Sequence, residues 1–391
     1  MVKFCIDRIV DGKAYPNCAQ WNAKPYTAEW RQFSHHWPFS EPVHFFEYLD
    51  HCGIDYELVE WTRADRHTLY PISVSYFDFK VDWFALMPVM IRDKLRAKSL
   101  TLWFFYSEGD NPQRIRDHLE KQARSHEVDP ALIKFTSANS AASMIQNFTH
   151  FVDDEWLLYL RNQDPPVQYH ERLRDKKFTA LVRTHKWWRA TTMARFWSKG
   201  LHEHSYFSYN NKLSVGDKES DNPIEIDSFE NLRADTYAFM EACPFAADSL
   251  TADQHNLYAT TVPEHFANSY LNVVIETHMD VDQSGGVFLT EKTFKPIKNC
   301  QPFVIIGAAG SIAQLKNMGY KTFDHVIDHS YDSIENTTER WNRACSVIEN
   351  LCEQNLADIY KSCRDDLLWN QQLFLGDKQY RLNILLEKIK S

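Results

Sequence analysis

The chain predicts an α/β fold of two Rossmann-like domains facing a cleft, and three observations carry that expectation. Apolar runs of strand length alternate with helical segments. The alternation breaks at one polar stretch with paired prolines, Arg161-Asn162-Gln163-Asp164-Pro165-Pro166, and then restarts. At 391 residues the chain also exceeds one typical core, which makes two domains of roughly 150–200 residues the natural division.

Taken in order, residues 2–9 read as a first strand, and residues 11–40 are polar and aromatic without a clear period. A helix over 45–52, a strand over 56–61 and a helix over 82–98 follow. Residues 100–106 (Leu-Thr-Leu-Trp-Phe-Phe-Tyr) form a continuous apolar run, the pattern of a strand buried on both faces. Next come an amphipathic helix over 112–125 and a short strand over 132–136. Past the break, strands are expected at 177–183, 206–209, 271–276 and 302–307, with a short one at 325–327. Helices are expected at 190–199, 291–298, 311–318, 333–355, 356–368 and 377–390. The domains are therefore placed at 1–165 and 166–370, with residues 371–391 forming a helix that packs back toward the first domain.

Composition narrows the function classes. A net charge of −10 argues against a whole-molecule attraction to nucleic acid. The eight cysteines are scattered without a C-x-x-C pair, which reads as reduced thiols rather than a disulfide frame or zinc site. No secretory apolar run opens the chain and no stretch reaches transmembrane length, so a cytoplasmic protein is expected.

Four stretches carry chemistry. The first is Val287-Phe288-Leu289-Thr290-Glu291-Lys292-Thr293-Phe294-Lys295-Pro296-Ile297, followed by Gln301-Pro302-Phe303-Val304-Ile305-Ile306-Gly307. A Thr-Glu-Lys turn opening a helix sets a carboxylate, an ammonium and helix N–H groups at the carboxyl edge of a parallel sheet, where phosphorylated ligands bind. Glu291 suits ribose or sugar hydroxyls and Lys292 a phosphate, as in a nucleotide-sugar site. The second, Lys176 to Arg189, runs from a strand into a basic aromatic loop containing Arg183, Lys186, Trp187 and Trp188. Residues 171–199 hold nine Lys/Arg against two Asp/Glu. A charge cluster at a strand-to-helix turn suits a diphosphate or a nucleic-acid backbone, although a solvated face has the same composition.

The third stretch, Tyr106-Ser107-Glu108-Gly109-Asp110-Asn111-Pro112, ends the most apolar strand of the first half. A carboxylate at such a tip is a candidate general base, while Asp-Asn-Pro is equally a good turn and helix start. The fourth, Asn272-Val273-Val274-Ile275-Glu276-Thr277-His278-Met279-Asp280-Val281-Asp282, delivers Glu276 to the edge that carries Glu291. Its Asp280-Val281-Asp282 matches a D-x-D metal pattern that is common by chance, so no metal is assigned. Gly307-Ala308-Ala309-Gly310-Ser311 suits close approach of a phosphate but lacks the lysine of a P-loop.

In this order these blocks resemble the α-1,3-fucosyltransferase family of inverting, GT-B-fold glycosyltransferases, and related glycosyltransferases of bacteria and their phages. The family shows a strand ending Phe-Glu-Asn, a loop, Tyr-Val-Thr-Glu-Lys, a helix and a Pro-Val strand ending in glycine. Here the order is Val274-Ile275-Glu276-Thr277, a loop, Phe288-Leu289-Thr290-Glu291-Lys292, then Pro302 to Gly307. The likeness is densest over residues 265–310 and does not reach residues 1–99. It implies Glu108 as general base, with Arg183, Arg189, Glu276, Thr290, Glu291 and Lys292 binding the donor. Arg189 and Lys292 would neutralise the diphosphate, Glu291 would hold the ribose, and Glu276 would lie near the transferred sugar. Thr277 replaces the family Asn and Phe288 its Tyr, which argues against GDP-fucose in particular.

The expectation is an inverting, metal-independent transferase with a nucleotide-sugar co-substrate, no other cofactor, and a glycan or a hydroxylated DNA base as acceptor. The rival is a non-catalytic nucleic-acid-binding or scaffold protein on a degenerate transferase fold. Nothing in the sequence sets an oligomeric state.

Overall fold

The computed structural model describes residues 1–6, 9–10, 13–14, 49, 52–74, 77–106, 108–152, 157, 160–162, 164–182, 185–209, 232–247, 261–280, 285–376 and 378–390. The protein is mixed α/β with parallel sheets, in two compact units. Unit 1 comprises Met1–Leu158, Asp282–Phe288 and Asp377–Ser391, and unit 2 comprises Tyr159–Val281 and Leu289–Gly376.

In unit 1, β1 (Val2–Ile6) precedes a small antiparallel ribbon of β2 (Ile9–Val10) and β3 (Lys13–Ala14). With β4 (Tyr56–Glu60), β5 (Thr68–Val74), β6 (Thr101–Tyr106), β7 (Ile133–Ser137) and β8 (Phe148–His150), β1 forms a parallel sheet ordered β4-β1-β5-β6-β7-β8. Strand β6 shows why both faces must be covered. Leu102, Phe104 and Tyr106 enter one core with Ile91, Leu95, Ile115 and Leu119 of the Val89–Arg96 and Pro112–Ser125 helices. Trp103 and Phe105 enter the other with Leu382, Leu385, Leu386 and Ile389 of the Lys378–Lys390 helix. This period-two alternation, apolar on both sides, is what a buried parallel strand requires.

Several elements depart from the sequence reading. Residues 62–81 show no element by pattern, yet β5 lies inside the sheet with Pro71 opposite Trp103, although proline ordinarily excludes a central strand. The helix expected over 82–98 is two, Trp83–Leu86 and Val89–Arg96, because Pro88 cannot continue the first. Residues 325–327 are not a strand but a turn, with Val326 and Ile327 N–H groups both on the Phe323 carbonyl. The helix expected over 45–52 lies almost entirely outside the described residues. The stretch read as a linker is anchored in unit 2. Arg161 is buried, donates to the Phe374 carbonyl at 2.8 Å and lies over the Phe374 ring, while Asp164 accepts from Thr261 N at 2.8 Å.

Unit 2 carries β9 (Lys176–Val182), β10 (Tyr206–Tyr209), β11 (Ser269–Ile275) and β12 (Phe303–Ile306), all parallel and ordered β10-β9-β11-β12. The chain runs from β9 outward to β10 and returns on the opposite side of β9 with β11. The order therefore reverses between β9 and β11, and their carboxyl ends bound the crevice in which such sheets take ligands. Among the described residues no helix is long and apolar enough to cross a membrane.

Candidate functional site

The carboxyl ends of β9 and β11 are tied together by the first turn of the Trp187–Ser198 helix. Trp188 Nε1 and Arg189 Nη2 both donate to the Glu276 carbonyl at 3.3 Å, and Lys186 Nζ donates to the Thr277 carbonyl at 3.1 Å. Arg340, itself buried, donates to the Met279 carbonyl. These bonds hold the 276–279 turn rigidly beside the switch point. Lys186 also lies over the Trp188 ring, 4.9 Å from its centroid.

Glu276 is 1% exposed and its carboxylate is filled from within unit 2. One oxygen accepts from Thr290 N at 3.0 Å and Thr293 Oγ1 at 2.6 Å. The other accepts from Thr290 Oγ1 at 2.7 Å and Thr277 N at 3.1 Å. A carboxylate has about four acceptor positions, and these four bonds occupy them. By these bonds Glu276 has a positioning role, fixing the start of the Glu291–Lys298 helix. Thr290 shares that role: it is the helix N-cap, its hydroxyl accepting from Lys292 N at 3.3 Å.

Glu291 and Lys292 stand on this cap, Lys292 Nζ lying 2.8 Å from a Glu291 oxygen. Burial pushes the Glu291 carboxyl up, but Lys292 and Lys295 outweigh it and hold the group below the usual glutamate value. Lys295 is pulled down to about 8, chiefly by burial and partly by Lys292, against the opposing pull of Glu291. His278 reports the local field most clearly. Burial, then the charges of Lys186, Arg189 and Lys292, bring its imidazole down to about 4, so it is neutral near pH 7. Positive charge from two segments, Lys186 with Arg189 and Lys292, is thus concentrated at this edge.

Arg189 is 4% exposed, so it contributes from beneath the site, whereas Lys186 and Lys292 are half-buried at its margin. Sequence reasoning counted Lys186 among the basic residues without singling it out. Its place in the cation-rich turn between the 177–183 strand and the following helix was the available signal. Arg183 lies outside the described residues. The Gly307–Ser311 turn does not offer its helix N–H groups to a phosphate: the Asp332 carboxylate accepts from Ile312 N at 2.9 Å and Ala313 N at 3.0 Å. Asp280 lies beside the Arg340 guanidinium, which feels its charge, and Asp282 is outside the described residues. Among the described residues no group of three or more His, Cys, Asp or Glu is placed to hold a metal ion.

In unit 1, Glu108 is half-buried just past the tip of β6, its carbonyl accepting from Ser137 Oγ at 3.3 Å. Asp110 is the group that sequence reasoning treated only as a turn residue. The buried Tyr106 hydroxyl donates a short hydrogen bond to its carboxylate. Burial raises the Asp110 carboxyl above its usual value despite that bond and the nearby Arg114. Asn111 caps the Pro112–Ser125 helix, accepting from Gln113 N at 3.0 Å and Arg114 N at 3.3 Å. The Gly109 carbonyl accepts from Asn139 Nδ2 at 2.9 Å. Over this edge lies a strap from residues 285–288. Ser140 N donates to the Val287 carbonyl and Val287 N to Ser140 Oγ, both at 2.9 Å, and Asn139 bridges Phe288. A Cβ on Gly109 would stand 2.1 Å from Phe288 Cγ, so only glycine permits this packing. Phe288 thus belongs to unit 1 in this fold.

No protein-family model matches the chain, and no curated protein sequence matches it. Among solved structures, it is similar to the crystal structure of the DNA-modifying enzyme β-glucosyltransferase, studied in the presence and absence of the substrate uridine diphosphoglucose. The two share 10% identity over 95% of this chain and 97% of that one, with a TM-score of 0.32. A likeness of that degree fixes neither fold nor activity.

Proposed function

We propose that this protein is a glycosyltransferase of GT-B type, moving a sugar from a nucleotide sugar to an acceptor hydroxyl with inversion and without a metal. The observation that supports the reading most is the cation cluster of Lys186, Arg189 and Lys292 at the switch point of unit 2, its geometry held by Glu276 and Thr290. In this mechanism Glu108 removes the proton of the acceptor hydroxyl. The acceptor oxygen forms the new bond to the anomeric carbon as the bond to the diphosphate oxygen breaks. The electron pair leaves on the diphosphate, where the cations stabilise the growing charge. Attack opposite the leaving group inverts the anomeric centre, and Glu291 binds the donor ribose. The acceptor is a glycan or a hydroxylated base in DNA.

The test is transfer by Glu108→Gln and Asp110→Asn proteins, using whichever nucleotide sugar the wild type binds. A general base contributes about 10²–10⁴-fold, so Glu108→Gln is expected to lose at least ~100-fold in kcat. Asp110→Asn keeps an oxygen that accepts from Tyr106 and is expected to retain most activity. The converse pattern moves the base to Asp110, and full activity in both variants sinks the mechanism.

A further inference from the structure

The two adjacent tryptophans that open the Trp187–Ser198 helix face different surroundings. Trp188 is 6% exposed, with its indole N–H on the Glu276 carbonyl beneath the Lys186 ammonium. Trp187 is only half-buried and stands among other rings. His185 meets it edge-on at 5.5 Å between centroids and 74° between planes, and Tyr237 at 5.7 Å and 77°. Each partner is itself held. His185 Nδ1 lies 2.5 Å from the hydroxyl of Tyr209, which is fully buried. Tyr237 sits on the Arg233–Ala242 helix, joined to the Trp187–Ser198 helix by Thr236 Oγ1 on Thr191 Oγ1 at 3.3 Å and by packing of Phe239 against Trp197.

Yet Tyr237 is 47% exposed. Thr236 and Phe239 of the same helix are buried, so the helix spends its core-facing positions elsewhere and leaves Tyr237 beside Trp187. Exposed aromatic rings are ordinary singly, whereas a fixed pair whose Trp187 stands between Lys186 and Arg189 in the chain offers an amphipathic surface. Lys186 precedes Trp187 and Arg189 follows it within one helical turn, so Trp187 shares one rigid element with two of the three cations. A ligand that joins a flat aromatic ring to a diphosphate matches both parts at once.

We infer that His185, Trp187 and Tyr237 form the base subsite of the anion site, stacking the nucleobase of a nucleoside diphosphate. This rests on the proposed diphosphate role of Lys186, Arg189 and Lys292, and it adds what that reading leaves open: which residues read the nucleoside. Stacking is tolerant, since every base has a π face, so the panel supplies affinity for a base before any choice among bases.

The experiment titrates the full chain with UDP, GDP, ADP and inorganic pyrophosphate by calorimetry. Wild type, Trp187→Leu, Tyr237→Ala and Lys292→Ala are compared after circular dichroism has verified folding. The expected result is a nucleoside diphosphate binding about tenfold or more tighter than pyrophosphate, from the magnitude of base stacking. Trp187→Leu should erase that preference while leaving pyrophosphate affinity unchanged, Tyr237→Ala should reduce it, and Lys292→Ala should weaken both ligands. Should Trp187→Leu not fold, Tyr237→Ala decides. Equal binding of nucleoside diphosphate and pyrophosphate, or a preference unchanged in the aromatic variants, overturns the base subsite but spares the diphosphate site. No binding of either ligand overturns the donor reading itself. A single-stranded oligonucleotide that needs Trp187, alongside a nucleoside diphosphate that does not, overturns the assignment in favour of an acceptor base.

Discussion

Replacing Glu276 with glutamine separates a positioning role from a sugar contact. The carboxylate accepts four hydrogen bonds, two from backbone N–H groups, Thr290 N at 3.0 Å and Thr277 N at 3.1 Å, and these approach different oxygens. The Thr290 and Thr293 hydroxyls can rotate to accept from an amide, but a backbone N–H cannot. Whichever way the glutamine amide turns, its NH₂ faces one of the two N–H groups and leaves it without an acceptor. A buried unsatisfied donor costs about 1–3 kcal/mol. For a unit of this size each kcal/mol moves the melting temperature by about 2–4 °C, so Glu276→Gln should lower it by roughly 2–12 °C. Thermal unfolding of wild type and variant, with and without a nucleoside diphosphate, measures this. An unchanged melting temperature combined with a large loss of donor sugar affinity would refute the reasoning and return Glu276 to the sugar.

Three further outcomes follow from the same geometry. His278 and, in unit 1, His150 are each brought down to about 4, mainly by burial. Their folded values lie below the unfolded value of about 6.5, so between those pH values the unfolded chain binds more protons and stability falls as pH drops. Urea midpoints measured from pH 7 to pH 4 should fall, and His278→Gln should flatten the part due to unit 2; an identical slope in the variant contradicts the assignment. Gly109→Ala puts a Cβ 2.1 Å from Phe288 Cγ, so it should destabilise by about 1–3 kcal/mol. The added substitution Phe288→Ala should recover part of that loss, as read by thermal unfolding; two independent, additive losses would contradict the interlock. Lys292→Ala should weaken nucleoside diphosphate binding by about tenfold or more, as expected for truncating a charge-assisted contact, and calorimetry at two salt concentrations checks it.

Much of the frame was legible because it is local. The run ending at Tyr106 announces a strand buried on both faces, and Asn111-Pro112 announces a helix start, since each signal lies within a few neighbouring residues. The Thr290-Glu291-Lys292 turn was legible for the same reason, and its cap has the geometry that a threonine at that position offers. What the sequence could not show depends on residues far apart in the chain. That Glu276 is filled needs Thr290 and Thr293, 14 and 17 residues on, to fold back onto it. The phosphate-like turn at Gly307–Ser311 is closed by Asp332, about twenty residues away. The gathering of Lys186, Arg189 and Lys292 about His278 joins three separate segments across a sheet edge. Pro71 hid a central strand because proline is a local signal, and the surrounding sheet overrode it.

The central claim, a diphosphate site at the switch point of unit 2, is tested most directly by calorimetric titration with UDP, GDP and ADP, each with and without Mg²⁺. The comparison is between wild type and a Lys186→Ala/Lys292→Ala double variant. The account predicts saturable binding of at least one nucleotide, unaffected by Mg²⁺ and lost in the double variant. Binding that requires Mg²⁺, or that survives removal of both lysines, would contradict it.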